Sequence, residues 1–99
     1  SDVENQVDMC LRKLFGKKRI YRELLAKGYK SEHISNALAS ITEEQLIENC
    51  ATLLQKKHKT IPDDPGVRKK IAGSLARYGY GFYEIKCAFD IVLNKKAEI

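Results

Sequence analysis

Ninety-nine residues suit one domain, and 43% hydrophobic with 31% charged residues reads as a soluble globular chain rather than a disordered one. The net charge of +5 points to an acidic partner such as nucleic acid, unless it serves solubility alone. Cys10, Cys50 and Cys87 are odd in number and widely spaced, which argues against a disulfide framework and a zinc site.

We expect three buried free thiols, which fit a reducing cytoplasm. No apolar run approaches the roughly 20 residues of a membrane span, and no signal-peptide pattern is present. The chain opens on Ser1, which suggests processing or a piece of a longer protein.

In chain order, Val3 to Phe15 reads as the first helix, with Val7, Cys10, Leu11 and Leu14 as its apolar stripe and Gly16 as its breaker. Lys17 opens the second, whose stripe is Ile20, Tyr21, Leu24 and Leu25. In projection, Lys18, Arg19 and Arg22 share its other side. Gly28 ends it, in the left-handed conformation that suits glycine. Ser31 is placed to cap a third helix with Ile34, Ala37, Leu38 and Ile41 on its apolar face.

Thr42 and Gln45 have the spacing of a capping box for a fourth helix, with Leu46, Ile47, Cys50, Leu53 and Leu54 inside. Pro62 should stop that helix near Thr60. Asp64-Pro65 starts a fifth, as a cap followed by proline at the first helical position. The sixth opens near Gly81, with Glu84 in its first turn, where a carboxylate suits the helix dipole.

Residues 17–41 return, more loosely, at 67–92. Seven pairs fifty-one residues apart are identical: Lys18/Lys69, Ile20/Ile71, Leu24/Leu75, Gly28/Gly79, Tyr29/Tyr80, Ile34/Ile85 and Ala37/Ala88. The first and fourth helices match at an offset of forty instead, so the second copy carries eleven extra residues around Lys56–Gly66. The expectation is an all-α fold of tandem three-helix repeats. Units at residues 1–41 and 42–99 would give six helices in solenoid-like stacking. Such stacking sets the basic residues of both middle helices along one side of the molecule.

Catalytic patterns are hard to find. No phosphate loop, His-Glu-x-x-His or nucleophile elbow is present. Asp63 and Asp64, between two prolines, read as a turn and a cap. Neither His33 nor His58 has a second ligand at metal spacing. A helix-turn-helix reading fails on charge, because the basic residues lie on the wrong helix. Tyr78, Tyr80, Phe82 and Tyr83 could stack on bases, though packing between repeats is the commoner use of such a cluster.

The segment with Gly16, Lys18-Arg19-Ile20, Glu23-Leu24, Lys27-Gly28 and Ala37-Leu38 resembles the RecX family. The later segment with Ile71, Leu75, Gly79-Tyr80 and Tyr83-Glu84-Ile85 looks like that family's last repeat. Its members are bacterial modulators of the recombinase RecA, built from three tandem three-helix units, so this chain resembles a middle-plus-last fragment.

The resemblance implies a cytoplasmic, non-catalytic regulator without cofactor or metal, acting in homologous recombination, DNA repair and the SOS response. It would dock on RecA or the RecA–DNA filament and mainly inhibit it. The residues carried over are Lys18, Arg19, Arg22 and Lys27, with Lys69, Lys70 and Arg77 as the second set. Gly73 and Ser74 stand where the first copy has Arg22 and Glu23, which thins the second ridge. Weak DNA binding through phosphate contacts is compatible with that regulator; the competing expectation is a general nucleic-acid-binding module that contacts the phosphate backbone and binds bare DNA tightly, with a steep salt slope.

Overall fold

The computed structural model describes residues 2–97, and among them all regular structure is helical. The six helices are α1 (Asp2–Arg12), α2 (Lys17–Ala26), α3 (Ser31–Ala39), α4 (Glu43–Lys57), α5 (Pro65–Arg77) and α6 (Phe82–Ala97). The molecule is elongated, 43 × 24 × 19 Å. Helix contacts run among α1, α2 and α3, and again from α6 to α4, with a much smaller contact from α6 to α5.

Two of the expected helix starts form as read. Thr42 Oγ1 accepts from the Gln45 amide at 3.1 Å, and Asp64 Oδ1 accepts from Gly66 and Val67 at 2.8 and 3.2 Å. Each such cap contributes about 1 kcal/mol. The Thr42 box closes on one side only, because the Gln45 side chain donates instead to Asn49 Oδ1 at 2.8 Å. Ser31 does not cap α3. It is the first helical residue, and Lys30 holds the cap position without a side-chain bond.

A side-chain cap appears where only a dipole contact was expected. Glu84 Oε1 accepts from the Gly81 amide at 2.8 Å, and the Glu84 side chain is buried. α4 ends at Lys57 rather than near Thr60, since His58 is already extended. The early exit lets Ile61 fold back onto the core.

α1, α2 and α5 end in one motif. The amides of Leu14, Gly28 and Gly79 bond the carbonyls of Leu11, Leu25 and Ala76. The amides of Phe15, Tyr29 and Tyr80 reach back to Cys10, Leu24 and Leu75. Gly28 and Gly79 sit at φ +97° and +108°, as glycine allows. Leu14 takes the same conformation, at φ +64°, at a cost of about 1–2 kcal/mol. The turn of α1 is therefore made by Leu14, not by Gly16.

Apart from Leu46 of α4, the buried apolar side chains form two clusters. One holds Val7, Cys10, Ile20, Leu24, Ile34 and Leu38. The other is built by Cys50, Ala51, Leu53 and Leu54 of α4, Ile71 and Leu75 of α5, Tyr80, and Ile85, Ala88 and Val92 of α6. Leu14 packs against this second cluster rather than completing the first, and its carbonyl accepts from the Tyr80 hydroxyl at 2.6 Å. Leu25, placed on the α2 stripe by spacing, is largely exposed.

The two clusters meet at a backbone junction. The Gly16 amide donates to the Tyr78 carbonyl at 2.8 Å, and the Lys18 amide to the Gly79 carbonyl at 3.2 Å. Gly16 caps α2 with no side-chain bond, so these carbonyls from the end of α5 satisfy amides that the helix start leaves open. The end of one helix dipole meets the start of the other. A Cβ at Gly16 would lie 2.4 Å from the Gly79 backbone, so Gly16 serves close approach.

Cys10 and Cys50 are buried, while Cys87 is half-buried. Burial, and then the Glu84 charge, push the Cys50 thiol up to about 12. A thiol that ionises near 9 in the unfolded chain adds stability that is whole below that pH and is lost as pH rises toward 12. Cys50→Ala is expected to flatten the alkaline fall in stability between about pH 9 and 11, read from urea midpoints. An unchanged slope would assign that limb to other groups, such as the buried Tyr80 phenol, which is also raised.

Candidate partner interface

The residues expected to bind a partner do not form one ridge. Lys18 and Arg22 are exposed on α2 and line a notch of about 500 Å³ with Lys17, Tyr21, Leu38 and Ala76. Ala76 belongs to α5, so the notch bridges the two clusters. Lys69 and Lys18 both line the adjoining hollow, which shares Ala76 with the notch. Arg77 lies on the same side, its Nη1 3.8 Å from the site of a Cβ on Gly73. Lys18, Arg22, Lys69 and Arg77 thus gather around Gly73 and Ala76.

The other three point elsewhere. The Arg19 guanidinium lies 4.0 Å from the Phe15 ring centroid and 5.4 Å from that of Tyr78, and its Nε is 3.6 Å from Glu23 Oε1. Phe15 and Tyr78 themselves meet edge to face at 6.0 Å, with Lys57 Nζ 4.7 Å over the Tyr78 ring. These contacts tie Arg19 into the junction, where cation–π contacts contribute about 0.5–1 kcal/mol each. Lys27 Nζ donates to Gln6 Oε1 at 3.0 Å beside α1. Lys70 lines a separate hollow with His58, Thr60 and Pro62.

The aromatic cluster divides as well. Tyr78 and Tyr80 pack at the junction. Phe82 is 85% exposed and Tyr83 63%, so the expectation of packing between repeats is corrected for these two. The cause is that α6 carries two apolar faces. Ile85, Ala88 and Val92 fill the core, while Phe82, Phe89 and Leu93 follow at i, i+7 and i+11 on another side. Spacing within α6 could have found this second face, since one core stripe does not need both sets.

One carboxylate pair went unnoticed in the sequence. Glu43, at the start of α4, is held above its ordinary value by desolvation, then by its hydrogen bond to Glu84 and the Glu84 charge, with Lys17 opposing. Both carboxylates belong to first turns of helices, and the pair joins the starts of α4 and α6. Among the described residues, no group of three His, Cys, Asp or Glu is placed to hold a metal ion, and no helix is long and apolar enough to cross a membrane. Comparison with protein-family models, with curated proteins and with solved structures finds no significant match to this chain.

Proposed function

We propose that this chain is a non-catalytic regulator that docks on a RecA–DNA filament and restrains the recombinase and its ATP hydrolysis, as the RecX resemblance implies. In this reading the helices are two tandem three-helix units, stacked end to end through the Gly16–Gly79 junction, in a cytoplasmic protein of DNA repair. The observation that carries it is the convergence of Lys18, Arg22 and Lys69 around Ala76, a contact face contributed by both units. Facing acidic protein or phosphate across the filament groove, these cations would hinder filament growth.

The test is binding to RecA–single-stranded-DNA filaments, with bare single-stranded DNA titrated in parallel, at two salt concentrations. Preference for the filament is expected, with affinity fading as the Debye length shortens from about 10 Å at 0.1 M. Lys18→Glu/Arg22→Glu/Lys69→Glu is expected to weaken filament binding at least about tenfold, since three exposed charge contacts at roughly 0.5 kcal/mol each are lost. The fold should persist, because all three side chains are exposed. Equal, steeply salt-dependent binding to bare DNA would favour the phosphate-binding module instead.

A further inference from the structure

The second apolar face of α6 borders a groove against α5. Where α2 carries Tyr21, Arg22 and Leu25, the aligned positions of α5 are Ala72, Gly73 and Ala76. Three large side chains are replaced by small ones on the side of α5 that looks toward α6. The result is an open groove of about 790 Å³ between α5 and α6, with these three residues on its α5 wall. Its α6 wall is Phe82, Ile85, Phe89 and Leu93. α6 leans chiefly on α4 and only sparingly on α5, so the gap stays open.

The rim carries one sign. Lys18, Lys69 and Lys86 surround the groove, together with Arg68, which is paired with Asp63 Oδ1 at 3.6 Å, and Asp90 is the single acidic residue in its lining. An apolar trough between two helices fits the apolar stripe of a third, with anchors at i, i+3 or i+4 and i+7. The cationic rim sets the charge of the flanks of such a helix. Glycine inside a helix costs about 0.5–1 kcal/mol against alanine, and a Cβ at Gly73 would meet only the Arg77 guanidinium, at an ordinary contact distance of 3.8 Å, so no packing neighbour requires its size.

We propose that the α5–α6 groove binds an acidic amphipathic helical segment of a partner protein. The segment's apolar stripe lies on Ala72, Gly73 and Ala76 and against Phe82 and Phe89. Its carboxylates meet Lys18, Lys69 and Lys86. Bare nucleic acid is the poorer occupant, because the wall of Ala72, Gly73 and Ala76 carries no polar side chain for a phosphate to meet between the rim cations. This assignment does not depend on the recombinase reading.

The probe is a designed helical peptide of about 15 residues, with leucines at helical spacing and glutamates on both flanks. Its binding is followed by fluorescence anisotropy and by amide and methyl shifts in NMR spectra. Two controls accompany it: the same peptide with lysine for every glutamate, and the same composition with the leucine spacing scrambled.

The groove-filling variant is Gly73→Leu/Ala76→Leu, which puts larger side chains where α2 has Arg22 and Leu25. Both positions have room, so the variant is expected to fold with undiminished thermal stability and to retain the rim charges. Binding of the acidic peptide, lost at least about tenfold in the filled variant and absent for both controls, is the expected result. Shifts should centre on Ala76, Phe82 and Phe89.

The proposal is overturned if the acidic peptide does not bind, if filling leaves its affinity unchanged, or if the lysine or scrambled peptide binds as well. It is equally overturned if single-stranded DNA displaces the peptide and is itself lost on filling, or if filling abolishes a self-association of the chain. Ala76 also lines the cationic notch, so Gly73→Leu alone separates the two sites: peptide binding is expected to fall with it while filament binding survives.

Discussion

Gly79→Ala is expected to destabilise the protein by about 2–5 kcal/mol, and Gly28→Ala by only about 1–2 kcal/mol. The two glycines are aligned, end the same kind of helix turn and have nearly the same positive φ. The backbone strain of an alanine is therefore shared. What differs is the space. A Cβ at Gly28 meets nothing within 4 Å, whereas at Gly79 it would stand 2.6 Å from the Arg19 amide nitrogen and 2.8 Å from the Gly16 carbonyl oxygen. These are backbone atoms of the junction, and no rotamer change moves them aside.

Gly16→Ala, at an unstrained φ of −82°, should lose only the overpacking part, about 1–3 kcal/mol. Combined with Gly79→Ala it should cost less than the sum, because both substitutions open the same contact. Urea unfolding followed by circular dichroism gives all four values. Equal losses for Gly28→Ala and Gly79→Ala would mean that the close approach of the two helix ends contributes nothing to stability.

The second large effect falls on Tyr80. Tyr80→Ala is expected to cost about 3–5 kcal/mol, the range for removing a fully enclosed aromatic side chain from a core. Tyr80→Phe isolates the hydroxyl and should cost about 1–2 kcal/mol, because the part-buried Leu14 carbonyl then loses its 2.6 Å donor. The aligned Tyr29 is half-buried, and its hydroxyl bonds the Asp2 carboxylate at the surface. Tyr29→Phe should therefore change stability by no more than a few tenths of a kcal/mol.

Hydrogen exchange checks the same point locally. Loss of Tyr80 should speed exchange at the Gly16 and Lys18 amides, which bond to the turn immediately before it. Unaltered protection there would dissociate the tyrosine from the junction.

Both comparisons set apart residues that the sequence treats as equal. The all-helical class, the approximate extent of six helices, the caps at Thr42 and Asp64 and the positive-φ glycines were legible in the chain. Each depends on neighbours within about one turn, or on the 3.6-residue recurrence of residues such as Ile20, Leu24, Ile71 and Leu75. The division of the buried residues follows that periodicity as well, with Leu14, Leu25 and the exposed Phe82 and Tyr83 as exceptions.

Leu14 misses its expected place because a left-handed turn carries it away from the α1 stripe and onto the second cluster. That turn is stabilised by contacts sixty-six residues away in the chain, through Tyr80. Only the tertiary structure decided which cations stand together. Arg19 and Arg22 are three residues apart on one helix, yet the rings of Phe15 and Tyr78 hold the first in the junction while the second stays in water. Exposure of Phe82 and the opening of the α5–α6 groove depend likewise on how α6 divides its two apolar faces between α4 and α5. Local periodicity determines which helix faces are apolar, whereas the partner of each face, and the face left uncovered, depend on long-range packing that no local spacing encodes.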